Sequence, residues 1–491
     1  MKNIIISVIV VYILTLFAVA YWSSKKIKNN NDFLIAGRSI GIWVVAATVA
    51  ATEIGGGSSI SIIEKTYGEW GIGSIWYVVS MAIAFIVISI FVPKIRSAEV
   101  RTIPEYFRRR YGGNVALLTS AITIFPLIGL AASQFIVGAS IVNTVFGINY
   151  HIAVTIIATT TIIYTYMGGY YGISRAHVMQ LILLFLGFIL TLGFLFQNVN
   201  DLTTSVFHFE FLKNVVKNKM DVKTVISLIV MYIASFSVGQ ELLPGFYSSK
   251  NEETAKKGSL LAGIINAVFS VLPVGIGIVV VYFFLGSQSG IKGDAAAVTF
   301  DMLKTTVPPM VIGIFFIGIL AAIMSSADSD IFGAASIYGN DIYRIYINKK
   351  PTEKQALETT RNSIIFIGIL AFFVALFSKT SVIELLTFSF AFRAGGIFVP
   401  YILGHYWKNA SSQGAIAAII SGSIVVLIMD QGNLTFFGFT SSVLSIIVSF
   451  LTFVLVSKLL PDENSTTKLK KEEIYSVEIN EIMENTEYYK K

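Results

Sequence analysis

Apolar residues along this chain of 491 residues are gathered into long blocks separated by short polar segments. A helix needs about 20 apolar residues to cross a bilayer, and thirteen blocks come close to or exceed that length. Their limits are 4–22, 42–66, 72–93, 115–146, 150–169, 173–197, 222–247, 258–286, 308–340, 362–379, 382–404, 412–430 and 434–460. The pattern predicts an all-α integral membrane protein with about 13 transmembrane helices.

Composition supports a membrane protein. Hydrophobic residues make up 55% of the chain and charged residues 13%, with a mean hydropathy of +0.74, whereas soluble domains carry about 25% charged residues. The net charge of +7 is explained by loop charges at one membrane face, so we expect the lipid bilayer as a partner and no nucleic acid.

Loop charges predict the orientation of the chain. Lys and Arg are about twice as frequent in the loops that follow odd-numbered blocks as in the others, and such an excess stays in the cytoplasm. We therefore expect the N-terminus outside and the C-terminus inside. A transmembrane domain over residues 1–460 would then be followed by a polar cytoplasmic tail over 461–491.

The second block is interrupted in a way that a lipid-facing helix has no use for. Residues 50–61 read AATEIGGGSSIS, with the acid Glu53 followed by three glycines and by serines such as Ser58. Glycine weakens a helix, and a carboxylate at membrane depth needs a polar cavity or a partner. We interpret the stretch as a helix break whose freed carbonyls and hydroxyls coordinate a polar ligand.

A second interruption lies in residues 235–247, SFSVGQELLPGFY, where Pro244 and Gly245 disturb the helix. One break near the start of each half is typical of transporters built from inverted repeats, here about 42–197 and 222–404. A proline kink without a function is the alternative for this second break.

The ninth block contains an oxygen-rich turn, AAIMSSADSD, over residues 321–330. Helical spacing places Ser325, Asp328 and Ser329 on one face. Hydroxyls, carboxylates and carbonyls are hard donors suited to hard cations. Serines that bond their own helix backbone are the alternative, but that role leaves two aspartates on one turn unexplained.

Catalytic chemistry finds little support. The chain has no cysteine and four scattered histidines, and no G-x-S-x-G, H-E-x-x-H or P-loop pattern occurs. We therefore expect a protein that is not an enzyme.

Four stretches together resemble the sodium/solute symporter family. They are AATEIGGGSS in the second block, AEVRTIPEYFRRRYG in the loop after the third, MGGYYGISRAHVMQ before the sixth and AAIMSSADSD in the ninth. The resemblance covers roughly residues 1–460 and implies a LeuT-type core of five plus five helices with discontinuous helices. It also implies Na⁺-coupled symport of a small organic solute across the cell membrane by alternating access.

The resemblance carries one Na⁺ site over to this chain by position. Its ligands would be the backbone oxygens of Ala51, Ile54 and Ala322 and the hydroxyls of Ser325 and Ser326. Two carbonyls of one helix are free to bind an ion only where that helix is broken, so this ligand set agrees with the helix break predicted at residues 50–61.

A second cation site of some family members would use Ser325, Asp328 and Ser329, but His177 stands where those members have an aspartate. Histidine is a poor Na⁺ ligand and titrates near neutral pH, so one Na⁺ per cycle or a proton contribution both remain open. Glu53 falls where the proline transporters of the family have an aspartate tied to Na⁺.

The resemblance places the solute between the two breaks. Ser58 falls on a family contact position, and Gln134, Gln240 and Arg393 are polar groups at depth. Arg393 would bind a carboxylate if it faces the cavity and would be a structural anchor if it does not. Amino acids, carboxylates, vitamins and sugars are all carried by relatives, and we favour a carboxylate-bearing or zwitterionic solute.

Two other functions stay open from the sequence, namely a proton-coupled transporter of the same fold and a sensor that has lost transport. The oligomeric state cannot be read from the chain.

Overall fold

The computed structural model describes residues 2–198, 213, 217–284, 295–348, 351–378, 381–432 and 434–462, and its regular structure there is helical. Most of the predicted tail, from residue 463 onward, lies outside the described residues. The first half contains α1 (Lys2–Ser24), α2 (Asn30–Ile35), α3 (Ile42–Glu53), α4 (Ile60–Tyr67), α5 (Ile75–Ile88), α6 (Val92–Arg96), α7 (Ile103–Tyr111), α8 (Gly113–Phe146) and α9 (Tyr150–Asn198). The second half contains α10 (Val222–Ser237), α11 (Leu243–Tyr247), α12 (Glu252–Phe284), α13 (Ala295–Thr306), α14 (Pro309–Ile337), α15 (Glu353–Phe377), α16 (Val382–Tyr406), α17 (Ser412–Gln431) and α18 (Ser441–Leu459).

Ten helical segments among the described residues are long and apolar enough to cross a membrane. The blocks predicted at 150–169 and 173–197 both lie in α9, which is 49 residues long and changes direction at Gly169, where φ is +53°. A helix of that length would extend about 74 Å, more than twice the apolar thickness of a bilayer. The count of thirteen and the orientation of the termini remain predictions.

Both interrupted blocks are broken helices. The first splits into α3 and α4, separated by the non-helical residues 54–59, and the second splits into α10 and α11. The break after α10 includes Gly239. Pro244 is the second residue of the short α11, in the first turn of the helix, where a missing N–H costs nothing. The two breaks occupy equivalent places in the two halves, as the sequence predicts.

The long helix α14 forms the centre of the bundle. In its most apolar stretch 89% of the residues are buried, compared with 22% in α1, which lies at the periphery. It packs against α9, α8, α3 and α1. This position explains how α14 can carry serines and aspartates without exposing them to lipid.

Two glycines bring the backbones of α9 and α14 into direct contact. A side-chain carbon at Gly187 would lie 2.8 Å from the Ile314 carbonyl oxygen, and one at Gly318 would lie 2.8 Å from the Leu183 carbonyl oxygen. Small residues at membrane helix interfaces allow such close packing. The contact fixes α14, and with it the oxygen-rich turn one helical turn further on.

Candidate ion and solute site

The break after α3 leaves backbone oxygens without helical partners. The Ala50 carbonyl still accepts the Ile54 N–H at 3.0 Å, but Ile54 has φ −83° and ψ 81°, so the helical hydrogen-bond ladder ends there. The Glu53 carbonyl accepts the Gly55 N–H at 3.1 Å and the Ser58 hydroxyl at 3.2 Å. The last carbonyls of any helix need such partners, and here they are buried side chains instead of water.

Oxygens of α14 meet those carbonyls. The Ser325 hydroxyl lies 2.8 Å from the Ala51 carbonyl oxygen and 2.8 Å from the Ala322 carbonyl oxygen, and the Ser326 hydroxyl lies 3.2 Å from the latter. One hydroxyl proton can serve only one of the two carbonyls at a time. The structure thus brings together four of the five oxygens predicted to bind Na⁺, while the fifth, of Ile54, belongs to the buried residue at the helix end.

This donor set fits a hard monovalent cation. All five oxygens belong to carbonyls and hydroxyls, which suit hard cations and carry no net charge of their own. Within the described part of the chain, no group of three or more His, Cys, Asp or Glu residues is arranged to hold a metal ion. A neutral cage of this kind favours Na⁺ over a divalent ion, which needs carboxylates.

The predicted second cation site contains a hydrogen-bonded acid instead of open ligands. Nε2 of His177 lies 2.9 Å from Oδ1 of Asp328, whose other oxygen accepts the Tyr164 hydroxyl. Ser329 also donates to Oδ1 of Asp328 at 3.2 Å and lies 3.1 Å from the Thr52 hydroxyl. The structure brings His177, Asp328 and Ser329 together, but the carboxylate already has a protein partner on each oxygen.

A cavity borders the break, and Asp328 is not among the residues that line it. Its volume of about 20 Å³ leaves room for about one water molecule. Its polar lining consists of Thr52, Glu53, Ser58, Gln134, Ser326 and Asp330. Its apolar lining consists of Tyr77, Met81, Leu130, Leu386 and Phe390, with Gly55 and Gly57 between them.

Two of the four predicted solute contacts lie at this cavity. Ser58 and Gln134 both line it, and Oε1 of Gln134 accepts the Gly56 N–H at 2.8 Å. Gln134 therefore holds the broken segment from α8 while its amide nitrogen stays on the cavity side.

Gln240 and Arg393 are not in its lining. Oε1 of Gln240 accepts the Ile103 N–H at 2.9 Å and its Nε2 donates to the Arg101 carbonyl at 3.3 Å, so this side chain joins the second break to the loop before α7. Arg393 is fully buried and donates to both carboxylate oxygens of Glu241 and to the Ser235 hydroxyl. The structural-anchor interpretation of Arg393 fits this geometry, and the carboxylate-binding one does not.

The loop and helix around α7 close the face predicted to be cytoplasmic. The Thr102 hydroxyl contacts Asp341, and Glu105 pairs with Arg109. Burial would raise the pKa of the Glu105 carboxyl, but Arg109 and Arg101 outweigh it and hold that pKa at about 2. Glu105 therefore stays ionised at physiological pH, and its contribution to stability is lost progressively as the pH falls from 4.5, its ordinary pKa, through about 2.

The opposite face is more open. A second cavity of about 360 Å³ lies beside α4, lined by Ser61, Glu64 and Lys65 among others. The Leu386 side chain, which lines the small cavity, packs directly against Gly57 of the break. On the predicted orientation, the second cavity lies toward the outer face of the membrane.

Sequence reasoning did not select Asp330, Glu241 or Tyr164 as site residues. Asp330 had an available signal, because it lies four residues after Ser326 and therefore one turn along the same helical face. Glu241 and Tyr164 reach their partners across 152 and 164 residues of sequence. No local pattern indicates such pairings.

Gly55→Ala is expected to weaken Na⁺ binding at the predicted site. A side-chain carbon at Gly55 would lie 2.6 Å from both Gln134 Oε1 and Ser326 Oγ, and these side chains hold the break and the ion cluster. Overpacking of this kind costs about 1–3 kcal/mol, which corresponds to about a tenfold or greater loss of Na⁺ affinity, measured by binding of radiolabelled Na⁺ to the purified protein.

Gly41→Ala is the matched control on the same helix. Gly41 lies at the start of α3, and nothing lies within 4 Å of a carbon added there. Both variants change one glycine of α3 or its break, but only Gly55→Ala disturbs the cluster. Wild-type Na⁺ affinity in Gly55→Ala would contradict the close packing described above.

Comparison with known proteins gives a consistent picture. The model of the sodium:solute symporter family matches residues 33–422. The sodium/proline symporter 2 of Staphylococcus saprophyticus is 25% identical over 438 residues, which are 86% of this chain and 84% of that protein. The osmoregulated proline transporter OpuE of Bacillus subtilis is 25% identical over 464 residues, 91% of this chain and 93% of OpuE.

Solved structures share the fold. A Na⁺-coupled sialic acid symporter in a substrate-bound outward-open state aligns with a TM-score of 0.82 at 20% identity, over 94% of this chain and 99% of the other. A transporter of the nucleobase-cation-symport-1 family in a closed conformation aligns with a TM-score of 0.59 at 14% identity, over 91% and 99%. The all-α, LeuT-type membrane fold is confirmed.

The prediction of a Na⁺-coupled transporter that is not an enzyme is also confirmed. The protein is a multi-pass plasma-membrane protein that transports a small organic solute together with Na⁺. Because the family model covers most of its length, the chain belongs to the sodium:solute symporter family.

Proposed function

We propose that Na⁺ binds between the end of α3 and α14, held by Ala51, Ile54, Ala322, Ser325 and Ser326, and that it drives a solute bound in the adjacent cavity. That cavity has room for about one water molecule in this structure, so it widens when the solute binds. The observation that carries this proposal is the 2.8 Å approach of the Ser325 hydroxyl to the Ala51 carbonyl across two separate helices. An ion at that place ties the broken helix to the centre of the bundle.

The ion and the solute share a wall. Ser326 belongs to the oxygen cluster and also lines the cavity, together with Gly55 and Ser58 of the break. Na⁺ that orders the break therefore also orders the solute contacts, here Ser58 and Gln134. This shared wall gives a physical reason for the solute to bind more tightly after Na⁺ than before it.

The transport cycle follows from the two faces. Na⁺ and the solute enter through the larger cavity beside α4 and pass Leu386. The N-terminus is outside, and residues 461–491 form a cytoplasmic tail that follows the transmembrane domain over residues 1–460. The contacts of Gln240 with the loop before α7 then separate and open the inner face. Moving one charge down a membrane potential supplies about 2.3 kcal/mol per 100 mV, before any concentration gradient is added.

One Na⁺ per cycle is the stoichiometry that the Asp328 environment favours. Both oxygens of Asp328 have protein partners, and the imidazole of His177 occupies the place where an aspartate would complete a second site. A neutral or cationic ring supplies no negative charge to such a site.

Counting bound ions tests this stoichiometry. Equilibrium binding of radiolabelled Na⁺ to the purified chain is expected to saturate at one ion per protein. His177→Asp is expected to raise the count toward two, because two adjacent buried carboxylates need a cation between them. Two ions per wild-type chain would contradict the single-site proposal, and an unchanged Na⁺ affinity in Ser325→Ala would contradict the assignment of the first site.

A further inference from the structure

The wall of the solute cavity carries two acids and, among the residues that line it, no basic side chain. Glu53 and Asp330 are 7% and 4% exposed, and both line the cavity. The remaining polar groups there are hydroxyls and the amide of Gln134. Ionisable groups at membrane depth need a partner or a polar pathway, so these two acids require a counterpart.

The nearest arginine does not provide it. Arg393 contacts both carboxylate oxygens of Glu241, one of them at 2.8 Å, and its guanidinium also lies 2.8 Å from the Ser235 hydroxyl. Bidentate pairing of this kind satisfies both groups and neutralises their charges. Arg393 therefore acts on Glu53 and Asp330 only from a distance and forms an ion pair with neither of them.

Glu53 itself points to a missing partner. Its Oε1 is buried and has no hydrogen-bond partner within the part of the chain that the structure describes. Its side chain also neighbours the Glu241–Arg393 pair, whose opposite charges largely cancel. A buried acceptor left unpaired costs the full desolvation of that group, so a ligand that donates a hydrogen bond to it, or brings a positive charge against it, would bind with a large gain.

The other walls suit an organic group and not a bare ion. Tyr77 and Phe390 line the cavity, and both rings contact Tyr232. The ring centroid of Tyr232 lies 5.7 Å from that of Tyr77 and 5.5 Å from that of Phe390. Aromatic faces attract organic cations, most strongly in a desolvated site. Leu386 and Met81 add apolar surface that offers nothing to Na⁺.

From these features we infer that the transported solute is a small organic cation, a protonated or quaternary amine without a carboxylate, whose positive nitrogen lies at Glu53 and Asp330. The inference rests on the proposed function, because it uses the same cavity. It departs from the carboxylate-bearing solute favoured by the sequence, since that preference depended on a free Arg393. A carboxylate in this cavity would face two acids, which disfavours zwitterions and anions together.

Matched pairs of solutes test the inference in proteoliposomes that contain the full chain and an inward Na⁺ gradient. Each pair differs by one carboxylate: choline and glycine betaine, ethanolamine and glycine, putrescine and 4-aminobutyrate, with proline added as a zwitterion. At least one cation is expected to accumulate, at about tenfold or more above its carboxylate partner. Preferential uptake of proline or of the carboxylate partners would overturn the inference, and so would the absence of any cation uptake.

Variants connect the selectivity to the two acids. Asp330→Asn is expected to lower the apparent affinity for the transported cation about tenfold or more, with binding of radiolabelled Na⁺ kept within about threefold. Glu384→Gln removes an exposed acid near the start of a different helix, α16, and is expected to change neither the affinity for the cation nor the binding of Na⁺. Wild-type cation affinity in Asp330→Asn would overturn the inference.

The design separates this inference from the proposed function. Na⁺ binding that depends on Ser325 and Ser326, together with uptake of a solute other than a cation, would overturn only the inference. Absence of Na⁺ binding in the wild type would overturn the proposed function instead. Uptake of a neutral solute driven by a proton gradient would assign Glu53 and Asp330 to proton binding, and that result also overturns the inference. If Asp330→Asn does not fold, the wild-type solute pairs still decide.

Discussion

Arg393→Met is expected to prevent the protein from accumulating in a folded form. The substitution keeps an unbranched apolar stem but removes the guanidinium group, which leaves the buried Glu241 without its positive partner. Removing one member of a buried ion pair costs about 3–5 kcal/mol, a large part of the total stability of a protein. The measurement is the yield of monodisperse protein after extraction in mild detergent, together with its thermal stability.

The double variant Arg393→Met with Glu241→Gln is the control. It removes both charges, so no uncompensated ion remains, and replacing a buried pair by neutral groups is often nearly neutral for stability. Folded protein is expected to return in the double variant. An Arg393→Met protein with wild-type stability that fails only to bind carboxylate solutes would contradict the anchor role and restore Arg393 as a solute contact.

Ser325→Ala and Ser326→Ala are each expected to weaken Na⁺ binding by about 10- to 100-fold. Both hydroxyls lie within 3.2 Å of the carbonyl oxygens of the cluster, and an interaction with a charged group is worth about 1.5–3 kcal/mol. Their removal takes away two of the five oxygens proposed to hold the ion. The measurement is the Na⁺ concentration at half-saturation, from binding of radiolabelled Na⁺ to purified protein.

Ser336→Ala provides the matched control on the same helix. Ser336 is also buried and its hydroxyl donates to the Phe332 carbonyl at 2.7 Å, one turn back in α14. Loss of that local bond is expected to leave Na⁺ affinity within about twofold, since backbone bonding by serine contributes little to a membrane helix. Equal losses in Ser336→Ala and Ser325→Ala would mean that the effect comes from α14 as a whole and not from the cluster.

The parts of the site that the sequence predicts are those encoded locally. The glycine run and the acid at Glu53 mark the first break, and Pro244 with Gly245 marks the second, because each acts on the helix that contains it. The spacing of Ser325 and Ser326 on α14 needs only helical geometry. These features alone predict a broken helix and an oxygen-rich turn, and the family resemblance adds that the two meet.

The parts that the sequence does not predict depend on contacts between distant segments. Gln240 looks like a solute contact in the sequence, but the backbone of Ile103, which lies 137 residues away, uses its amide. Arg393 finds its partner, Glu241, 152 residues away, at the far end of the same predicted repeat. Both groups are polar at depth, and only the three-dimensional packing decides which of them faces the cavity.

The His177 position shows what a departure from a family pattern can and cannot indicate. The sequence alone shows that a histidine stands where some family members have the aspartate of a second Na⁺ site. That its ring nitrogen lies 2.9 Å from Asp328, while Tyr164 occupies the other oxygen, becomes visible only in the structure. The sequence raises the question of the ion count, and the geometry favours one ion.

The central claim is that the oxygen cluster between α3 and α14 couples Na⁺ to solute movement. Its most direct test compares initial uptake into proteoliposomes under an inward Na⁺ gradient with uptake under an inward proton gradient without Na⁺, in the wild type and in Ser325→Ala, with the solute panel described above. We expect uptake that follows Na⁺ and falls at least about tenfold in the variant. Uptake that ignores Na⁺ but follows the proton gradient, and is unchanged in Ser325→Ala, would contradict the claim and assign coupling to Glu53, Asp328 and His177.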